Sequence, residues 1–320
     1  MKAIRVHELG GADKLLIDEI DAPTPKADEV LIKVAAAGIN YADTMQRAGN
    51  YLTKPELPFT LGYEIAGTIE SLGENVTNFS SGQRVLATAS SGGYAEYATA
   101  KAATVLPLPD KLGFGESTAL LVQGLTALGL LNDAKAGQSI LIHAAAGGVG
   151  SLLVQLAKHK GLKVIGTASS ESKLQKVAAL GADFAVNYSK DDWTDEVLKA
   201  TDEKGADWII EMVGGEIVAK NLQVLAKNGT MWIYGAASGA DFKVSVLSLM
   251  PKNHRIRGYW LMNESVENRM VFTKELLENF DAGRLKIEVT EFPFEKAREA
   301  HEAIEGRKTT GKVVLLVGEK

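Results

Sequence analysis

One stretch constrains this chain more than any other: an apolar strand, Ser139 to His143, runs directly into the turn Ala144-Ala145-Ala146-Gly147-Gly148-Val149-Gly150 and from there into an amphipathic helix. Strand, glycine turn and helix in immediate succession are the setting that a dinucleotide motif needs. Gly147 and Gly148 let the backbone approach a pyrophosphate, and Gly150 lets the helix pack closely on the strand. The helix start then offers unpaired N–H groups and a positive dipole to the phosphates. Ala145 stands where the first glycine is usual. A glycine turn can merely connect strand to helix; the further strand and helix units downstream of this one point to a cofactor, and the cofactor-binding set opens with Ala146, Gly147, Gly148, Val149 and Gly150.

From about Ala136 the pattern of strand, turn and helix repeats, the signature of a doubly wound α/β parallel sheet. Strands are expected at Ser139–His143, Lys163–Thr167, Phe184–Asn187, Trp208–Glu211 and Thr230–Tyr234, with a sixth at Arg255–Trp260. Between them Val149–Lys160 and Ser172–Leu180 carry apolar residues at helical spacing, and Gly161 and Gly181 follow as left-handed caps. The first 120 residues are different: short alternating runs at Leu15–Ile20, Glu29–Ala35, Gly62–Leu72 and Arg84–Thr88, broken by Pro and Gly, suit a β-rich domain. After Met262 come a helix (Val266–Ala282), a strand (Glu288–Phe292), a helix (Phe294–Glu305) and a strand (Gly311–Val317), which are expected to return to that first domain. The division is therefore 1–122, 123–262 and 263–320, consistent with a length beyond what one core usually serves.

Composition narrows the function. A net charge of −5 with scattered basic residues gives no reason to expect nucleic acid or an anionic membrane as partner. No apolar run approaches the roughly 20 residues needed to cross a bilayer, and Met1–Glu8 reads as a strand rather than a signal peptide. The absence of cysteine removes disulfides, thiolate metal sites and a cysteine nucleophile together, and the default location is cytoplasmic.

Which dinucleotide is held depends on the end of the second parallel strand, where an acid would grip the ribose hydroxyls of NAD. The chain reads Thr167-Ala168-Ser169-Ser170-Glu171-Ser172-Lys173, with Ala168 at the acid's place. Hydroxyls and a lysine suit the 2′-phosphate of NADPH. Ser169 or Ser170 can equally cap the next helix while Lys173 is solvated. The two roles are compatible.

The segments Ala37-Gly38-Ile39-Asn40-Tyr41-Ala42-Asp43, Leu61-Gly62-Tyr63-Glu64-Ile65-Ala66-Gly67, His143 to Gly150, Gly181-Ala182-Asp183 through Asn187-Tyr188, and Gly311-Lys312-Val313-Val314-Leu315 resemble the medium-chain dehydrogenase/reductase superfamily, in its zinc-free quinone oxidoreductase (zeta-crystallin-like) branch. The resemblance spans the whole chain. It implies a Rossmann domain inserted in a GroES-like catalytic domain, a cleft between them and a homodimer. Zinc members place a histidine where this chain has Tyr63 and a cysteine where it has Asn40, so no metal is expected. Glu64 survives from that motif and reads as structural.

By the same resemblance Asn40 donates to a carbonyl or to the nicotinamide ribose, Ser169, Lys173 and Tyr188 take the 2′-phosphate and adenosine end, Gly235 and Ala236 pass the nicotinamide, and Thr126 lies beside the cofactor. Tyr51 is either a proton donor or a wall of the pocket. Met45 replaces a second cleft tyrosine of some relatives. Tyr259 and Trp260 read as an apolar edge at the dimer contact. The histidines carry no role: His143 is expected to make a structural hydrogen bond beneath the turn, His159, His254 and His301 to sit on surface or helix, and His7 in a strand. The expected chemistry is hydride transfer from NADPH to a quinone or an enone or enal; the alternative is a non-catalytic NADPH-binding protein, crystallin-like or RNA-binding.

Overall fold

The computed structural model describes residues 1–240 and 242–318, and the chain divides into two units. The first comprises Met1–Val122 and Ile287–Lys320, the second Gln123–Lys286. The first cut falls after Val122. The return does not begin at 263: residues 263–286, with their long helix, stay in the second unit.

In the first unit the strands are β1 (Lys2–Val6), β2 (Leu15–Glu19), β3 (Glu29–Ile39), β4 (Phe59–Thr60), β5 (Glu64–Leu72), β6 (Arg84–Thr88), β7 (Tyr97–Lys101) and β8 (Val105–Pro107), with helices α1 (Tyr41–Ala48) and α2 (Phe114–Ser117). The second unit holds α3 (Leu125–Leu131), β9 (Ser139–Ile142), α4 (Gly148–His159), β10 (Lys163–Ala168), α5 (Glu171–Ala179), β11 (Phe184–Asn187), α6 (Trp193–Ala200), β12 (Ala206–Glu211), α7 (Glu216–Val224), β13 (Leu225–Ile233), α8 (Val246–Leu249), β14 (Arg255–Gly258) and α9 (Val266–Asp281). The returning segment supplies β15 (Val289–Pro293), α10 (Ala297–Glu305) and β16 (Lys312–Leu316).

The first unit is built on a sheet ordered β15-β16-β3-β5-β6-β8, with β7 also pairing β3, beside a small sheet β2-β1-β4. β16 runs antiparallel to β3, with Val314 opposite Gly38, and Gly38 is opposite Glu64 on the other neighbour, β5. The ends of three strands from distant parts of the chain are thus held side by side. Ile32, Ile39, Ile65, Ile69, Val85, Tyr94, Ala300 and Leu315 form the core around them.

The second unit is one parallel sheet ordered β11-β10-β9-β12-β13-β14. In local order this is 3-2-1-4-5-6, the Rossmann arrangement, and the order reverses between β9 and β12, where such sheets open a crevice at the strands' carboxyl ends. The central strands are apolar on both faces because helices cover both, as buried Ile140, Leu141, Val164, Ile165, Ile209 and Ile210 show. α9 buries Phe272 and Leu276 and packs on α3, which is why it remains with this unit. An apolar helical run, Phe114–Leu131, has the length and composition to cross a membrane, but 78% of it is buried inside the protein, so it reads as a core segment.

Candidate active site

In the second unit, the sequence-derived cofactor residues gather at the carboxyl ends of the parallel strands. β9 ends at Ile142, and Ala144 turns the chain with a left-handed φ of 50°. The positive φ therefore falls on Ala144, not on the Ala145 that stands for the first glycine. Gly147 is the N-cap of α4, so the first N–H groups of that helix point out of the turn. A Cβ at Gly150 would strike the carbonyl oxygen of Ala144, and one at Gly148 would strike the Gln123 side chain. At Gly147 the nearest atom would be the Ala144 oxygen at 3.2 Å, a close contact but a looser one than at the other two glycines. Ala146 is buried behind the turn and Val149 is half-buried in the first turn of α4.

The neighbouring strand β10 ends on buried Ala168, followed by half-buried Ser169, with Lys173 in the first turn of α5. The amide of Tyr188, just after β11, donates to the Ala168 carbonyl at 3.3 Å and so brings Tyr188 to the same strand end. Glu171, the acid nearest this end, is exposed at the start of α5. Hydroxyl, lysine and phenol without a strand-end carboxylate fit a 2′-phosphate, and the glycine turn fits a pyrophosphate, so the residues present accommodate NADPH. Gly235 and Ala236 follow β13, and the next two amides, of Ala237 and Ser238, donate to the carbonyls of Met212 and Val213, each at 2.8 Å. Thr126 is buried near the start of α3. Tyr259 packs against Gly129 and, edge-on, against Trp232 within the second unit.

The first unit carries Asn40 and Tyr51, at opposite ends of α1. Asn40 is the N-cap, Gly49 closes the helix in the left-handed region with φ of 77°, and half-buried Tyr51 lies in the bend beyond. The Asn40 amide is held on two sides. Lys312 Nζ donates to Asn40 Oδ1 at 3.2 Å, and Asn40 Nδ2 donates to Glu64 Oε1 at 2.9 Å. Because an ammonium only donates and a carboxylate only accepts, these contacts fix which way the amide points. Lys312 and Glu64 also form an ion pair, both fully buried, and Glu64 Oε2 accepts the Val122 amide at 2.9 Å. Gly38 makes this possible, since a Cβ there would collide with both side chains.

Behind Asn40 runs a second buried chain. Asp43 Oδ2 accepts from the Asn40 amide at 2.8 Å and from the Tyr94 hydroxyl at 3.2 Å. Tyr94 also meets His301 Nε2 at 3.2 Å, and His301 Nδ1 meets Arg47 Nη1 at 3.1 Å. Arg47 can only donate, so Nδ1 accepts and Nε2–H points to Tyr94. Burial pushes the Asp43 carboxyl up to about 7, against the pull of the Asn40 amide and Lys312. Burial, helped by the Arg47 charge, pushes His301 down to about 3. His301 does sit on a helix, but it is fully buried rather than superficial.

Lys312 escapes sequence reasoning; its only signal is its place in the segment Gly311 to Leu315. Glu64 is structural, as expected, and it is the hub of the Asn40 clamp. His143 makes the structural hydrogen bonds expected of it, to Thr167 and Asn221.

Known proteins share this fold. Residues 26–110 match the alcohol dehydrogenase GroES-like domain and residues 148–278 the zinc-binding dehydrogenase family. The metal in the second description finds no matching donor set: among the described residues no three His, Cys, Asp or Glu side chains gather so as to hold an ion. A human protein described as a quinone oxidoreductase is 39% identical over 324 residues, covering 99% of this chain and 98% of its own length. A mycobacterial structure in complex with NADPH superposes with a TM-score of 0.93 at 35% identity, covering 99% of this chain and all of its own. The Escherichia coli quinone oxidoreductase in complex with NADPH gives a TM-score of 0.93 at 30% identity, with the same coverage.

Proposed function

The chain belongs to the medium-chain dehydrogenase/reductase superfamily, in its zeta-crystallin-like quinone oxidoreductase branch, and on that premise we propose that it carries hydride from NADPH to a quinone or an α,β-unsaturated carbonyl without zinc. The observation that carries the cofactor choice is the β10 end, where Ala168 stands in place of a carboxylate, Ser169 and Lys173 follow it, and the Tyr188 amide bonds to its carbonyl. When bound, NADPH supplies the hydride and its electronics. The protein supplies position and charge complementarity. The α4 start and its glycine turn take the pyrophosphate, and Gly235 and Ala236 line the nicotinamide end.

Asn40, whose Nδ2 donates to Glu64, is the group assigned to the acceptor's carbonyl oxygen or to the nicotinamide ribose. With Lys312 and Glu64 fixing its amide, the donor needs no reorganisation as negative charge develops on that oxygen. Quinone and enone are electronically alike, each a carbonyl conjugated to a carbon–carbon double bond, so both belong to the reading. For an enone, a proton must reach the α-carbon after hydride reaches the β-carbon, and Tyr51 is the group assigned to that step.

The test is NADPH consumption measured against 1,2-naphthoquinone, 2-alkenals and enones. Oxidation of NADPH by one of these classes is the expected result; none across the panel would reduce the reading to NADPH binding. In Tyr51→Phe, loss of enone turnover with NADPH affinity intact supports the donor role, and unchanged turnover removes it.

The reading includes a homodimer and a cytoplasmic location. Support for the dimer lies in the second unit, where β14 ends the sheet with an unpaired edge among the described residues, and Val246, Leu247, Met250, Val266, Met270 and Val271 are exposed.

A further inference from the structure

Beneath the cofactor-facing loops of the second unit lies a buried polar chain that the chemistry above does not use. It joins the ends of β9, β10 and β12 to α7. His143 Nδ1 meets Thr167 Oγ1 at 2.9 Å, His143 Nε2 meets Asn221 Oδ1 at 2.7 Å, and Asn221 Nδ2 donates to Glu211 Oε2 at 2.7 Å. All four residues are fully buried, and Trp193 closes the histidine edge-on. The hydrogen-bond directions at Asn221 are determined. Asn221 must turn its amide nitrogen to the carboxylate, so its oxygen faces the ring and accepts from Nε2–H.

The other end of Glu211 faces the backbone. Its Oε1 accepts the amides of Val213, at 2.5 Å, and Gly214, at 2.8 Å. Gly214 and Gly215 both adopt positive φ, 80° and 65°, so this tight turn is held by the carboxylate at a place where the backbone is otherwise free to move. The turn is itself bonded to the segment after β13, through the Met212 and Val213 carbonyls that accept from Ala237 and Ser238. One carboxylate thus spans from the residue beneath the glycine turn to the backbone next to Gly235 and Ala236. These loops lie on the β12 and β13 side of the point where the strand order reverses, opposite the β10 end that takes the 2′-phosphate.

We propose that Glu211 is a positioning residue for the nicotinamide half of the cofactor: by clamping the 212–215 turn it sets the height of the 235–238 segment relative to the glycine turn. The proposal rests on the NADPH reading above. It separates the two halves of the cofactor by the number of bonds between: Glu211 holds the 212–215 turn directly and reaches the β10 end, at Thr167, through Asn221 and His143.

A purely architectural carboxylate would affect both halves together, and a titration can tell the difference. NADPH and adenosine 2′,5′-bisphosphate, which carries only the adenosine and 2′-phosphate, are titrated into wild type and Glu211→Gln, with thermal melting as a check on folding. Glutamine cannot accept from Asn221 and from both backbone amides at once, so one arm of the clamp is lost. The expected result is NADPH affinity lower by about tenfold, hydride transfer slower by on the order of 10²-fold as the ring is misplaced, and adenosine 2′,5′-bisphosphate affinity changed by less than about twofold. Equal weakening of both ligands, or no change in either, overturns the proposal. If Glu211→Gln does not fold, Asn221→Leu cuts the chain one step further from the turn, and the same selective loss, smaller in size, is expected. A wild-type chain that binds neither ligand would instead overturn the NADPH reading, and the proposal with it.

Discussion

Lys312 is a fully buried cation whose partner, Glu64, is equally buried. Removing one member of such a pair strands the other charge in a medium that solvates it poorly. Lys312→Met is therefore expected to cost about 3–5 kcal/mol in urea denaturation, and adding Glu64→Gln should recover part of that loss by removing the stranded charge; a double variant no more stable than the single would contradict this. The pH dependence of stability has two opposed sources in the chain behind Asn40. Asp43, raised to about 7 from 3.8, binds its proton more tightly when folded, so its contribution is complete below about 3.8 and is lost as pH rises through about 7. His301, lowered to about 3 from 6.5, contributes above 6.5 and loses that contribution as pH falls toward 3. Over the shared range, roughly pH 4 to 6.5, the two slopes oppose each other. His301→Gln removes one of them, so its stability relative to wild type should rise as pH drops below 6.5, by about 1.4 kcal/mol per unit. A difference that stays constant across a pH series of urea melts would refute the assignment. None of this network is legible in the sequence, because Asp43, Tyr94, His301 and Lys312 meet only through tertiary packing, and His301 reads locally as one more polar position on an amphipathic helix.

Elements are most legible where their cause is local. The β9 strand, glycine turn and α4 lie within a single stretch of chain, and the observed helix, Gly148–His159, starts and ends one residue before the expected Val149–Lys160. The two glycines of that turn have different reasons to be there, and substitution separates them. Alanine at Gly150 would press on the Ala144 carbonyl and should destabilise the fold by about 1–3 kcal/mol, seen as a lower melting temperature with or without NADPH. Alanine at Gly147 meets the Ala144 oxygen at 3.2 Å, against 2.3 Å at Gly150, so the melting temperature should fall by less than in the Gly150 variant while NADPH affinity falls, because the added methyl lies on the turn that the pyrophosphate approaches. Equal behaviour of the two variants would show that the turn has one role only. The clamp at Glu211 escapes a sequence reading for the opposite reason: the residue reads as the last of a strand, and nothing local says that its carboxylate turns back onto the amides two and three residues ahead.

At the scale of the molecule, a boundary at 263 is misplaced because it rests on counting strands. With six parallel strands assigned, the next helix has no sheet to join, yet α9 belongs to the helical layer, where Phe272 and Leu276 are buried and α3 is its neighbour. The dimer proposed above makes its own prediction: Leu247→Glu, which charges an exposed apolar position, should shift sedimentation velocity from dimer to monomer without unfolding the chain, and a wild type that already sediments as a monomer would dismiss it. The antiparallel pairing of β16 with β3 has a consequence in time. On the ribosome β3 emerges before the second unit, but the strand that completes its edge, and the lysine that steadies Asn40, emerge only after that unit has been made. At 5–20 residues per second the first unit waits roughly ten to thirty seconds while the second is synthesised, with the Ala36–Ile39 part of the β3 edge, which β7 does not cover, open to any passing strand. Translation that stalls within the second unit would leave a nascent chain whose dinucleotide fold is nearly finished and whose catalytic half is sticky, which makes this edge a natural client for a chaperone acting during synthesis.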